Sequence, residues 1–360
     1  MWGYSNGLYP GSTSQLSSRP TTSAPSSVIS TMASSLVGPS PVGPARERVR
    51  LRDTYKQAAL SIIESLQSRS KPTYTHTDLA QFGFSVQSFD PEDPEFTDSE
   101  ACLFQPLTPE ELEEFEDTFN EFPQTYSVPE HCRMWDRASQ ISFCLEIFES
   151  SYKKEMHEDT VSIRDVSYWD NIKAEDSFHD TGDGMLLGVT IGHSTPQTLP
   201  MWHTDSTCQW LDENLKTTRP HIKLVTLTGA EAKENELLHG ELGSISNAIY
   251  CRLNQPEFET TSIFPVLMLS LFGPRHGRLL QAKFHNSGTL NVQSSPIYNF
   301  VDSNEKMKLF VRYNNCKPRD SKESEPVLIA EDSPAPRVQH PASLLESNKG
   351  TLSLVAEIAF

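Results

Sequence analysis

Few residues in this 360-residue chain have the types and spacing to do chemistry, and the first are Trp202-His203-Thr204-Asp205. A histidine and an aspartate one residue apart on a strand edge, completed by a distal histidine, can form the two-His-one-carboxylate face that binds non-haem iron. His276 would supply the third ligand, with His285 as the alternative, and Arg278 stands near enough in sequence to hold the carboxylate of a 2-oxo acid. Such oxygenase sites sit in jelly rolls, with many strands around the ligands. The interval between Asp205 and His276 instead carries a helical pattern, and His276 falls in a tight turn. The expectation is a chain with no catalytic metal and no other cofactor.

The second candidate is Gln281-Ala282-Lys283, on a predicted strand. The helix–strand–strand–strand–helix order of residues 230–313 resembles the core of the PD-(D/E)XK nucleases. There one strand supplies an Asp and the next a Glu-X-Lys, which together hold magnesium and an attacking water. Here Lys283 is kept, Gln281 stands for the Glu, and Ile263 to Phe272 contains no Asp. Magnesium is held through carboxylates, so the resemblance implies an inactive relative. The sequence contains no Gly-X-Gly-X-X-Gly, no phosphate-binding Gly-Lys-Ser/Thr loop, no Gly-X-Ser-X-Gly elbow and no His-Glu-X-X-His.

The third candidate is an interaction surface. Between Asp90 and Phe122 there are thirteen Asp or Glu and no Lys or Arg, so this stretch carries most of the net charge of −18. Phe96, Phe104, Phe115, Phe119 and Phe122 are interleaved with those acids. Charge can keep such aromatics solvated until they dock on a protein partner; Phe115, Phe119 and Phe122 are the docking candidates. The simpler reading is one amphipathic helix packed on its own domain. The acidity disfavours nucleic acid, whose phosphates are met by Lys and Arg.

Six cysteines are present, no two closer than twelve residues, so a Cys-X-X-Cys metal or redox site is not formed. The N-terminus shows no basic start followed by an apolar run. The longest apolar run, Ile263 to Phe272, is too short to span a bilayer. These features predict an intracellular, soluble protein, in cytoplasm or nucleus.

The elements that would position these residues can be read in outline. Residues 1–44 are Ser/Thr/Pro-rich without periodicity and read as a disordered head. Leu51, Tyr55, Ala59, Ile62 and Leu66 recur at helical spacing. The basic start, Arg46 to Arg50, reads as a solvated helix face, with a nuclear signal as the alternative. Thr108-Pro109-Glu110-Glu111 is a strong helix start, followed by the stripe Leu112, Phe115, Phe119, Phe122. A long helix is predicted over 129–156, with Met134, Ala138, Ile141, Leu145, Phe148 and Tyr152 inward. His221–Leu227 predicts a strand, Ala230–Leu253 a helix, and Ile263–Phe272 a central strand, apolar on both faces. Gly273-Pro274-Arg275-His276-Gly277 and Asn286-Ser287-Gly288 are turns that make 278–284 and 289–292 two further strands, and 304–313 closes as a helix.

Phe264 to Phe284, with the run Phe-Gly-Pro-Arg-His-Gly-Arg-Leu-Leu-Gln-Ala, resembles a block shared by uncharacterised proteins of filamentous fungi. The resemblance continues through Ser294–Phe300 and Leu309–Tyr313. It implies a fungal, intracellular protein and carries over no catalytic residue.

The reading is one α+β domain over 45–315, in which N-terminal helices pack with a C-terminal α-β-β-β-α unit containing an antiparallel meander. A disordered linker is expected over 316–349. Leu352, Leu354, Ala356, Ile358 and Phe360 alternate strictly, as a final strand returning to the sheet or as a docking peptide that adds to a partner's sheet edge. The expected role is a binding or regulatory protein with no evident catalytic site.

Overall fold

The computed structural model describes residues 44–69, 71–117, 133–156, 159–172, 200–212, 217–300, 304–319 and 327–328. The Ser/Thr/Pro-rich head, Phe119, Phe122 and the alternating C-terminal decapeptide lie outside the described residues.

The chain opens with α1 (Pro44–Ser68), whose Tyr55, Ala59, Ile62 and Leu66 form the buried stripe that the spacing predicts. Then follow β1 (Thr73–Thr75), α2 (His76–Gln81), β2 (Phe84–Ser88), α3 (Pro94–Asp98), β3 (Phe104–Gln105), α4 (Pro109–Glu113) and β4 (Glu116–Asp117). Both α2 and α4 start on capping boxes, Thr75 with Asp78 and Thr108 with Glu111. Each box satisfies two backbone N–H groups that a helix start leaves orphaned. The middle of the chain supplies α5 (Met134–Ser151), β5 (Tyr152–Met156), β6 (Asp159–Ser162), β7 (Trp169–Asn171), β8 (Trp202–Leu211) and β9 (Thr217–Thr228). Last come β10 (Glu236–Leu238), α6 (His239–Asn254), β11 (Val266–Phe272), β12 (His276–Phe284), β13 (Leu290–Ser294), β14 (Tyr298–Asn299), α7 (Asn304–Asn314), β15 (Lys317–Pro318) and β16 (Val327–Leu328).

A nine-stranded mixed sheet runs in the order β2-β13-β12-β11-β9-β8-β7, with β14 on β12 and β16 on β9. The strands β11, β12 and β13 form the predicted antiparallel meander. The α+β class holds, with α1 packed along α6. What the sequence pattern does not reveal is how much sheet surrounds the meander. The strand β9 lies parallel to β11, joined through α6 as a crossover, and β2 adds to β13 in parallel. Every residue of β11 is buried, as a strand covered on both faces requires.

One sheet face is covered by α1 and α6. Tyr55, Ile62, Leu242, Ile245 and Ile249 meet Ile222, Leu224, Val266, Met268, Leu280 and Ala282 there. The other face is covered by α5 and α7, where Ile141, Leu145, Phe148, Phe310 and Val311 meet Val225, Leu227, Leu269, Leu271 and Leu279. Arg52 ties the first layer together. Its buried guanidinium donates to the carbonyls of Leu253 (2.5 Å), Gln255 (3.2 Å), Thr261 (2.8 Å) and Phe258. These carbonyls lie at and beyond the C-terminal end of α6, where positive charge is favourable.

Four expected boundaries are corrected. The helix predicted to run to Met156 stops at Ser151, because Tyr152–Met156 pairs with Asp159–Ser162. The helix predicted from Ala230 begins only at His239, after β10 has paired with β1. The acidic helix ends at Glu113, and Phe115 beyond it packs half-buried against the core rather than continuing a helical stripe. The expected linker does not begin at 316. Cys316 is wholly buried, β15 pairs with β3, and Arg319 donates to the carbonyls of Thr97 (2.7 Å), Asp98 (2.8 Å) and Ser99 (2.5 Å). No helix among the described residues is long and apolar enough to cross a membrane.

Candidate functional site

The helix α5 carries two stripes one residue apart. Ile141, Leu145 and Phe148 enter the core, and Ser142, Glu146 and Glu149 border a cleft of about 330 Å³. Both sets follow i, i+4, i+7 spacing, so they share neighbouring lines on the helix surface. The opposite wall comes from β7, β8 and β9, and α7 closes one end with Asn314, followed by Asn315.

A β-bulge sets the second wall. Thr204 pairs with Thr226 and Ser206 with Val225, leaving Asp205 as the extra residue of β8. Alternation would send Asp205 and Ser206 to opposite faces. The bulge turns both towards α5, where both line the cleft. Ser142 Oγ donates to Asp205 Oδ2 at 2.8 Å, and His203 Nε2 lies 3.5 Å from Oδ1. These contacts, that to His203 foremost, hold the Asp205 carboxyl below its ordinary range against the opposing effect of burial. The His203 ring packs at a tilt against Trp135 of α5, with ring centres 4.6 Å apart.

Lys223 stands opposite Cys208 in the β8–β9 ladder. It is nearly fully buried, donates from Nζ to the Asn314 carbonyl at 2.5 Å and lies 5.3 Å from the Trp169 ring centre. Glu149 is also buried, and its Oε1 accepts from Asn314 Nδ2 (2.6 Å) and Asn315 Nδ2 (2.7 Å). Glu146 is pushed above the ordinary carboxyl range, first by desolvation and then by Asp205 and Glu149, with Arg164 opposing. The cleft therefore holds three carboxylates and two cations on a rigid frame.

His276 does not join His203 and Asp205. The register runs Trp202 to Thr228, Thr228 to Phe272 and Phe272 to His276, three inter-strand steps. That is roughly 14 Å across the sheet. The faces differ as well. On β12, His276 shares the side of Arg278, which pairs with Glu241 of α6, whereas His203 packs on α5. His285 sits in an exposed hairpin with Nδ1 3.1 Å from Ser287 Oγ. Among the described residues, no three His, Cys, Asp or Glu side chains come together in a way that could hold a metal ion.

The predicted Gln281-Ala282-Lys283 strand is present, but Gln281 is structural. Its Oε1 accepts from Leu103 N at 2.8 Å inside the core. An acid and a lysine on adjacent antiparallel strands occur instead on β8 and β9, as Asp205 and Lys223. Two residues before Lys223, where a Glu-X-Lys would place its carboxylate, stands His221, fully buried and edge-on to Phe104.

Glu146, Glu149, Arg164, Lys223, Asn314 and Asn315 were not singled out by the sequence. The available signals are a lysine inside the apolar run His221–Leu227 and a glutamate beside the buried stripe of a helix. No protein-family model matches the chain, and neither a curated protein nor a solved structure proves similar to it.

Proposed function

We propose that this is a binding protein without a catalytic centre, and that its ligand is a small polar molecule held in the cleft between α5 and the β7–β9 edge. The carrying observation is that neutral polar neighbours already hold the charged groups there: the buried Glu149 by two asparagine amides, the buried Lys223 by the Asn314 carbonyl, and the more exposed Asp205 by Ser142. Preorganised polar groups in a concave site are what ligand recognition uses.

The same bonds argue against hydrolysis. Ser142, Asp205 and His203 touch in that order, with the carboxylate in the middle. Nucleophilic catalysis needs the imidazole next to the hydroxyl. The thiols of Cys144 and Cys208 are pushed up by burial, Cys144 to about 11, and stay protonated at neutral pH.

The reading is tested by thermal-shift and calorimetric titration of the full chain against small polar compounds, with Asp205→Asn and Glu146→Gln as cleft variants. Binding that the variants abolish supports it. Turnover of an ester or phosphodiester substrate, lost in the same variants, overturns it.

A second reading has its own observation. The strand bearing Asp205 lies antiparallel to the strand bearing Lys223, which feeds the crossover helix α6 and the parallel strand β11, while the preceding helix offers Glu146 and Glu149. This favours an inactive relative of the PD-(D/E)XK nucleases. Its signature would be the absence of DNA cleavage and of magnesium or manganese binding by the folded chain, as the replacement of the metal-holding carboxylate by His221 requires. An intracellular setting and a protein partner belong to the proposal as well, the former implied by the resemblance of 264–313 to the fungal block.

A further inference from the structure

We propose that the ligand of the cleft presents a cationic nitrogen, an ammonium or guanidinium group, to Glu146, Asp205 and Asn314. The inference rests on the binding reading above and assigns the chemical class of its ligand.

The first observation is Asn314. Only 8% exposed and lining the cleft, it leaves Oδ1 without a hydrogen-bond partner. Its amide cannot be turned to bury that oxygen elsewhere, because Nδ2 donates to Glu149 Oε1 at 2.6 Å. A flip would set an oxygen against a carboxylate. Leaving a buried acceptor without a donor is unfavourable, and a ligand N–H supplies the missing donor.

The second is Glu146. Its carboxylate makes no hydrogen bond among the described residues. Asp205 and Glu149 are near enough to push it upward. A cation between Glu146 and Asp205 would replace that repulsion with attraction.

The third is the state of the cations. An anionic ligand would need donors, yet Lys223 is nearly fully buried, with one Nζ–H given to the Asn314 carbonyl and the ammonium lying over Trp169. Arg164 is exposed, as are Glu146 and Asp205, so an anion would find one solvated guanidinium against two solvated carboxylates and the buried Glu149. A metal ion is the other cation to weigh, and the described residues bring no three metal-binding side chains together.

The cationic nitrogen can belong to a free small molecule or to an Arg or Lys side chain of a protein partner. The experiment is calorimetric titration of the full chain with arginine amide, its neutral isostere citrulline amide, inorganic phosphate, and a short peptide containing one arginine. Arginine amide should bind at least tenfold more tightly than citrulline amide. Glu146→Gln and Asp205→Asn should each weaken it at least tenfold, and Glu64→Gln, an exposed acid on α1, should not. The Glu146 carboxyl, followed by carbon NMR, should titrate at lower pH when the cleft is filled. Peptide binding at least tenfold tighter than the amide assigns the nitrogen to a protein partner, and the reverse assigns it to a free amine. Phosphate or citrulline amide binding in preference, with loss in the cleft variants, overturns the cationic assignment and leaves the binding reading standing. No binding of any probe by a folded chain overturns the assignment too. Turnover in the hydrolysis assay overturns the binding reading itself.

Discussion

Arg278 of β12 donates to Glu241 of α6 through two nitrogens, Nε at 2.8 Å and Nη2 at 2.5 Å, and neither side chain has any exposed surface. Glu241 also accepts from Leu238 N at 2.7 Å, so the same carboxylate caps the start of α6. The pair joins the crossover helix to the sheet at the row Thr226, Ser270, Arg278. Removing one member leaves the other charged and desolvated. Arg278→Met or Glu241→Leu alone should cost about 3–5 kcal/mol, and the double variant markedly less than the two together. Urea unfolding of the four chains measures this, and additive losses would contradict it.

Gly240 permits a close approach rather than an unusual backbone. A Cβ there would stand 2.9 Å from two atoms of the Trp202 ring, which is itself buried. Gly240→Ala should destabilise by roughly 1–3 kcal/mol despite the better helix propensity of alanine. Trp202→Phe in the same chain should recover part of that. A stabilised single variant would show that the ring yields freely.

Two buried histidines fix a pH dependence. Burial pushes His221 down to about 3 and His239 down to about 4, from an ordinary value near 6.5. Below pH 6.5 the unfolded chain therefore binds protons that the folded chain does not. Their contribution is complete above pH 6.5 and falls as pH drops towards 4, by up to about 1.4 kcal/mol per pH unit for each histidine. Denaturation midpoints at pH 7, 6 and 5 should fall accordingly, and His239→Gln should flatten the slope. An unchanged midpoint across that range would contradict the burial of these rings.

The parts of the fold legible in the sequence are those where local signals agree with packing. The run Val266–Phe272 has no polar face to misplace, and Gly-Pro and Asn-Ser-Gly turns bound the strands beside it, so the meander could be drawn directly. The stripe Tyr55, Ala59, Ile62, Leu66 likewise has one solution. Tyr152–Met156 is different. Nothing local forbids another helical turn at Tyr-Lys-Lys-Glu-Met, and only pairing with Asp159–Ser162 draws it into a strand. Propensity there is overruled by a contact further along the chain.

The cleft was half legible. His203 and Asp205 stood out as a pair and do touch, but the bulge that orients Asp205 breaks the alternation by which faces are read. Lys223, Glu149 and Asn314 gave no motif because each comes from a different element. They meet only once β9, α5 and α7 are assembled. His276 looked near His203 in kind, and the sheet puts it on the other face.

Arg52 should be the most sensitive surface-proximal residue of α1. Its guanidinium serves four carbonyls at and beyond the C-terminal end of α6, and methionine would keep the apolar stem while orphaning them. Arg52→Met should cost about 2–4 kcal/mol, whereas Arg50→Met, removing an exposed i, i+3 pair with Glu47, should cost far less. Equal losses in the two variants would refute the clamp.

Asp205 supplies the last test, because its ionisation reports the local geometry directly. Its carboxyl lies below the ordinary range, chiefly through His203, with the Ser142 hydrogen bond adding and burial opposing. Its folded value being depressed, the stability it contributes is present above the unfolded value near 4. It is lost as pH falls through the folded value. Carbon NMR of the Asp205 side chain should place its titration below that of a free aspartate. His203→Ala and Ser142→Ala should each move it upward, the former further, since the His203 contact is the larger cause. The double variant should leave burial as the dominant influence and lift the carboxyl above the ordinary range. If neither single variant shifts the titration, the Ser142–Asp205–His203 contacts do not persist in solution, and the β8 bulge orients Asp205 for something other than these two partners.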